Sequence, residues 1–127
     1  MNLHAMMERV TRSGATKCRR KFVRAVLFDE LGWTRPEAIN GPEGDHVCTG
    51  KVGACGCRHA EDRLFERVNA DLAGWTIGIT HAPCMTCAKL IRGRKIDRVI
   101  YAHEAPHHSL ALTWLESQGV TVMRVAP

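Results

Sequence analysis

Apolar positions along this chain change period several times, and each change marks an element. Leu3, Met6, Met7 and Val10 recur three to four apart, which predicts a short amphipathic helix over residues 3–12 that ends near Gly14. The run Phe22-Val23-Arg24-Ala25-Val26-Leu27-Phe28 is apolar and rich in β-formers, so it predicts a strand, with Gly32 and Trp33 as its turn. A shorter strand is expected at Glu37-Ala38-Ile39. Asn40-Gly41-Pro42 and a glycine-bearing stretch to Gly56 then break regular structure. That loop exceeds the usual connection and calls for a purpose or a staple.

From His59 the period becomes helical, with Leu64, Phe65, Val68 and Leu72 on one face and Gly74 as the stop. Residues 75–80 read as a strand, 84–92 as a helix capped by Gly93, 99–101 as a strand, 109–117 as a helix and 120–123 as the last strand. Strands alternating with helices predict an α/β fold with helices on both faces of the sheet, and no internal repeat is present. A chain of 127 residues is long enough for one buried core and is expected to form one domain, 1–127.

Two segments carry the candidate chemistry, His59-Ala60-Glu61 and Pro83-Cys84-Met85-Thr86-Cys87. Zinc takes imidazole and thiolate in a tetrahedral shell, and a catalytic zinc keeps three protein ligands so that water can take the fourth place. His59, Cys84 and Cys87 supply those three. Cys84 and Cys87 are three apart, on one face of a helix, and Pro83 suits the helix start, where the dipole favours thiolates. Glu61, two residues beyond the histidine, is left free to move protons as the catalytic acid and base. A redox pair would explain the two cysteines alone but would leave His59 and Glu61 idle. A zinc-ribbon-like binding module using Cys55, Cys57, Cys84 and Cys87 is the non-enzymatic alternative, and it would make Glu61 dispensable.

Cys18, Cys48, Cys55 and Cys57 remain, and four is the number a structural zinc site needs. Such a second zinc would pin the long loop to the lead-in of the first strand, with His46 as an alternative to one thiolate; buried cysteines acting as small apolar residues are the competing explanation. No segment approaches the roughly 20 apolar residues of a membrane span, and the N-terminus has no apolar signal core, so a cytoplasmic protein without a membrane partner is expected, its cysteines kept as thiols or metal ligands. The net charge of +5 is N-terminal: residues 1–35 hold eight Lys/Arg against three Asp/Glu, and residues 36–127 balance ten against ten. Lys17, Arg19, Arg20, Lys21 and Arg24 form a cluster suited to a nucleotide phosphate, a polynucleotide or plain solvation. With only Phe22 and Phe28 to stack bases nearby, a polynucleotide is the less favoured partner.

A histidine, one residue, a glutamate and then Pro-Cys-x-x-Cys is the signature of zinc nucleobase deaminases. Over nearly its whole length the chain resembles the cytidine deaminase superfamily, and within it the deoxycytidylate (dCMP) deaminases. The likeness is carried by the zinc segments, by Ser13 with Cys18-Arg19-Arg20 before the first strand, by Asn40-Gly41-Pro42-Glu43-Gly44 and by Ile96-Asp97-Arg98-Val99-Ile100-Tyr101. It implies a three-layer α-β-α fold with a central mixed sheet of about five strands. It also implies hydrolytic deamination of a cytosine nucleotide, dCMP or a 5-substituted dCMP, and a homo-oligomer. Substrate contacts follow from it at Asn40, with the sugar hydroxyl or phosphate, at Ala60, and at the backbone of Ala82, with the leaving amino group. The chain departs from the family pattern at Asp62-Arg63, where an asparagine is usual, and at Ala105-Pro106-His107-His108, where a tyrosine often closes over the nucleotide. A base deaminase acting on tRNA or single-stranded nucleic acid is the second enzymatic reading.

Overall fold

The computed structural model describes residues 2–52 and 54–126; Gly53, within the expected loop, lies outside the described residues, as do Met1 and Pro127 at the ends of the expected domain. The elements are α1 (Leu3–Val10), β1 (Arg24–Phe28), β2 (Thr34–Ile39), β3 (Gly41–Pro42), β4 (Cys57–Arg58), α2 (Ala60–Glu66), β5 (Thr76–His81), α3 (Met85–Gly93), β6 (Arg98–His103), a 3-10 turn at Pro106–His108, α4 (Ser109–Ser117) and β7 (Thr121–Arg124). Five strands form one mixed sheet in the order β2-β1-β5-β6-β7. β1 runs antiparallel to β2 and β5, whereas β5, β6 and β7 are parallel, joined by α3 and α4 as crossovers. This is the expected α/β architecture, with helices on both faces of a mixed sheet.

The continuous apolar run of β1 has a simple cause, since both faces of the sheet are covered. Ala25 and Leu27 point into the larger core with Leu64 and Phe65 of α2, Ile91 of α3 and Leu115 of α4. Val26 and Phe28 point the other way, against Met6, Met7 and Val10 of α1. That helix lies close because Gly78 of β5 has no side chain: a Cβ there would come within 2.6 Å of Val10 Cγ2. Trp75 and Trp114 pack against the larger core, while Trp33 is mostly exposed at the turn after β1. No helix among the described residues is long and apolar enough to cross a membrane.

Several boundaries differ from expectation. β2 begins at Thr34 rather than Glu37, and the loop contains a small ladder, β3 with β4, that pairs Gly41 with Arg58 and Pro42 with Cys57. The helix expected to reach Leu72 stops at Glu66. Arg94 explains that stop: its guanidinium donates to the carbonyls of Phe65 (2.7 Å), Val68 and Ala70, which takes the acceptors a further turn would have used, and it lies over the Phe65 ring. Gly93 is not the cap either. α3 runs through it to Arg94, and the left-handed residue is Lys95, at φ 64. Arg24, counted with the exposed cations, is buried; it donates to the carbonyls of Val10 and Arg12 and pairs with Glu37.

Replacing Arg94 by Met should cost about 1–3 kcal/mol, because partly buried carbonyls lose a charged donor. Urea unfolding measures this, and a change below about 0.5 kcal/mol would show that water serves those carbonyls equally well.

Candidate active site

The starts of α2 and α3 meet at the carboxyl end of β5, where ligands commonly sit in open α/β sheets. The N-cap of α2 is His59 and that of α3 is Cys84, and neither side chain caps its helix. A serine, threonine or aspartate would ordinarily fill such a position and bond back to the backbone. These two side chains turn towards each other instead. His59 Nδ1 lies 3.3 Å from Cys87 Sγ and 3.5 Å from Cys84 Sγ, and the three ligand atoms all lie within 4.8 Å of one another.

The two thiols cannot easily ionise together. Hydrogen bonding from Cys87, helped by His59, pulls Cys84 down to about 3, and the Cys84 thiolate beside it pushes Cys87 well up. His59 is raised, chiefly by its hydrogen bond to Cys84. A divalent cation among the three would remove this conflict and hold both sulfurs as thiolates, so the donor set fits zinc. Glu61, in the first turn of α2, is 4% exposed, and burial raises its carboxyl above the usual range, opposed by the His59 ring.

The other four cysteines converge as well. Cys18, Cys48, Cys55 and Cys57 place their sulfurs within 4.8 Å of one another, and all six cysteines are free thiols. The N–H groups of Arg19 and Gly50 donate to Cys48 Sγ at 3.2 and 3.4 Å, which brings Cys48 down to about 7, while burial and the neighbouring sulfurs push Cys57 up. This partition overturns the zinc-ribbon alternative, because Cys55 and Cys57 belong to one group and Cys84 and Cys87 to the other. Nor does His46 join the sulfurs. Its Nε2 donates to the Cys55 carbonyl at 3.1 Å, and its ring fills the space where a side chain on Gly56, at φ 81, would stand.

A cleft of about 300 Å³ opens above His59, Glu61 and Cys84, and Asn40, Ala60 and Ala82 all line it. Asn40 is buried and serves first as a strut: Oδ1 accepts from Val23 N and Nδ2 donates to the Lys21 carbonyl, each at 2.9 Å. Each end of the amide keeps capacity for one further bond. The Ala82 carbonyl accepts from His108 Nδ1 at 2.8 Å, which ties the Pro106–His108 turn to the cleft wall. His107 also lines the cleft, whereas His103 lies against the His81 ring at 5.1 Å.

Two arginines hold the site through contacts that the sequence does not show. Arg58, next to His59, donates to Asp62, Glu43 and Glu66 at 2.8–2.9 Å. Only its i,i+4 spacing to Asp62 was a readable signal. Arg63 donates to the carbonyls of Pro42 (2.7 Å) and Ile39 (3.3 Å), clasping the Asn40 loop to α2 from the position where the family pattern has asparagine.

No family model matches the chain, and the search of curated proteins found no match. Solved structures do match. A dCMP deaminase from the cyanophage S-TIM5, in complex with dCMP and dUMP, superposes with a TM-score of 0.73 at 24% identity, over 97% of this chain and 91% of that one. The Thermotoga maritima diaminohydroxyphosphoribosylaminopyrimidine deaminase/5-amino-6-(5-phosphoribosylamino)uracil reductase gives 0.71 at 21% identity, over 97% of this chain and 37% of that one. A tRNA deaminase that edits adenosine to inosine at the wobble position gives 0.55 at 21%, over 81% and 82%. The chain therefore has the cytidine deaminase-like fold.

Asn40→Ala would leave Val23 N–H and the Lys21 carbonyl without their partner, at a cost of about 2–3 kcal/mol in chemical denaturation. A cost near zero would mean that Asn40 is not a strut.

Proposed function

We propose that the chain is a zinc-dependent hydrolytic deaminase of a cytosine nucleotide, converting dCMP, or a 5-substituted dCMP, to the uracil nucleotide and ammonia. The observation that carries this reading is the convergence of His59 Nδ1 with the sulfurs of Cys84 and Cys87 beside the buried carboxyl of Glu61. The dCMP complex of the S-TIM5 enzyme supports the choice of substrate.

His59, Cys84 and Cys87 would hold the zinc; bound there, it lowers the pKa of a coordinated water from about 15.7 towards 7. Glu61 accepts a proton and passes it to the ring nitrogen beside the amino-bearing carbon, which makes that carbon electrophilic. Once the water oxygen has added to that carbon, Glu61 takes the remaining proton of the added hydroxyl and delivers it to the amino group, which leaves as ammonia as the C–N bond breaks. The Ala82 carbonyl accepts from that amino group, Ala60 backs the ring, and the spare bonding capacity of Asn40 faces the sugar. Cys18, Cys48, Cys55 and Cys57 would hold a structural zinc and so staple the loop, and the four gathered sulfurs support this.

A base within RNA or single-stranded DNA is the second reading, favoured by the exposed Lys17, Arg19, Arg20 and Lys21 and by the tRNA-acting neighbour. Salt separates the two: a polynucleotide editor loses affinity steeply and linearly in log salt, and a mononucleotide enzyme shows little slope.

Glu61→Gln should retain zinc and lose turnover by a factor of about 100 or more, measured as ammonia release. Near wild-type turnover would remove Glu61 from the proton path. Elemental analysis of the loaded chain should give one zinc for each of the two ligand groups, and Cys48→Ser should lose one of them. A single zinc in folded wild-type protein would sink the structural site.

A further inference from the structure

α4 starts as α2 and α3 do, with an N-cap side chain that does not cap its helix. That residue is His108, half-buried on the wall of the cleft, and its Nδ1 lies 2.8 Å from the Ala82 carbonyl oxygen. A carbonyl only accepts, so Nδ1 carries a proton. The backbone holds this donor in place: His108 N–H closes its turn on the Ala105 carbonyl at 2.7 Å, and Pro106 stiffens that turn.

The acceptor is held as firmly. Ala82 is buried just past the end of β5, and its N–H donates to the His103 carbonyl of β6 at 3.0 Å. Pro83 restricts the backbone of Ala82 from the other side, and it has no N–H, so the Ala82–Pro83 peptide can accept a hydrogen bond and never donate one. A carbonyl oxygen takes two hydrogen bonds. His108 fills one place and leaves one.

A pinned carbonyl that can only accept discriminates between the two ends of the reaction. Cytosine offers it the N–H of its 4-amino group, whereas uracil sets a 4-oxygen against it, acceptor facing acceptor. We infer that His108 is a positioning residue that fixes the Ala82 carbonyl, so that the cleft holds a 4-amino pyrimidine and binds the 4-oxo product weakly. The inference deepens the deaminase reading and rests on it for the pose of the ring; the pinned carbonyl stands on the contacts of Ala82 and His108 alone. Without the Nδ1 bond the turn and the carbonyl are free to shift apart, and the oxygen loses its aim at the amino group.

The test uses the zinc-loaded Glu61→Gln full chain, which holds substrate without turning it over, and measures calorimetric binding of dCMP and dUMP. With His108 in place, dCMP should bind about tenfold or more tighter than dUMP. His108→Phe keeps a ring and removes the donor: dCMP should weaken about tenfold and dUMP change less than about twofold, so that the ratio approaches one. His108→Asn, with an amide N–H near the place of Nδ1, should restore the ratio, and His108→Gln, which carries its amide further out, should not. Equal binding of the two nucleotides before any change at His108, or binding of neither, overturns the inference. So does a His108→Phe chain whose ratio is unchanged or that weakens both nucleotides alike. If that chain does not fold, equal ratios in the Asn and Gln variants overturn it. A preference for dCMP that depends on His108, in a chain that keeps Glu61 yet releases no ammonia, would uphold the pinned carbonyl and overturn only the deaminase reading.

Discussion

Cys84 and Cys87 share a few ångströms of space with the His59 ring, and their protons compete: ionising one sulfur makes the next ionisation much harder. A cation would settle that competition, and the start of each neighbouring helix leaves room for one. Two helices begin at this point, and each gives up the side-chain cap that would stabilise its first turn. The unpaired N–H groups there favour negative charge on the sulfurs. A local sacrifice of helix stability in favour of ligand geometry is the mark of a functional site.

The same short stretch of chain links everything else. Cys57 belongs to the second sulfur group, Arg58 gathers three carboxylates, His59 faces the thiols, Glu61 lies buried and Arg63 clasps the Asn40 loop. In turn Asn40 braces the lead-in that carries Arg20 and Lys21. Residues far apart in sequence are thus tied to the start of α2 from three directions.

Much of this was legible in the sequence. The apolar run of β1, the helical period after His59 and the crossover helices gave the layer order, because burial on both faces leaves a plain pattern. The meeting of His59 with Cys84 and Cys87 was legible from ligand chemistry and spacing, and the gathering of the four remaining cysteines from their number. What could not be read depends on contacts between distant segments. The early stop of α2 comes from Arg94, about thirty residues further on. Lys95 rather than Gly93 takes the left-handed position after α3. Arg24 and Arg58 look like solvated charge until the carbonyls and carboxylates around them are known, and the role of Asn40 as a strut needs the neighbouring strand.

The central claim is that His59, Cys84 and Cys87 share one zinc. Zinc K-edge X-ray absorption on a Cys48→Ser/Cys57→Ser chain, with the structural group disabled, reads that shell directly. The expected result is a first shell of two sulfurs at about 2.3 Å and nitrogen or oxygen donors at about 2.0–2.1 Å, with one sulfur lost in a further Cys87→Ser substitution. A folded chain that binds no zinc, or holds it by four sulfurs or by none, would contradict it.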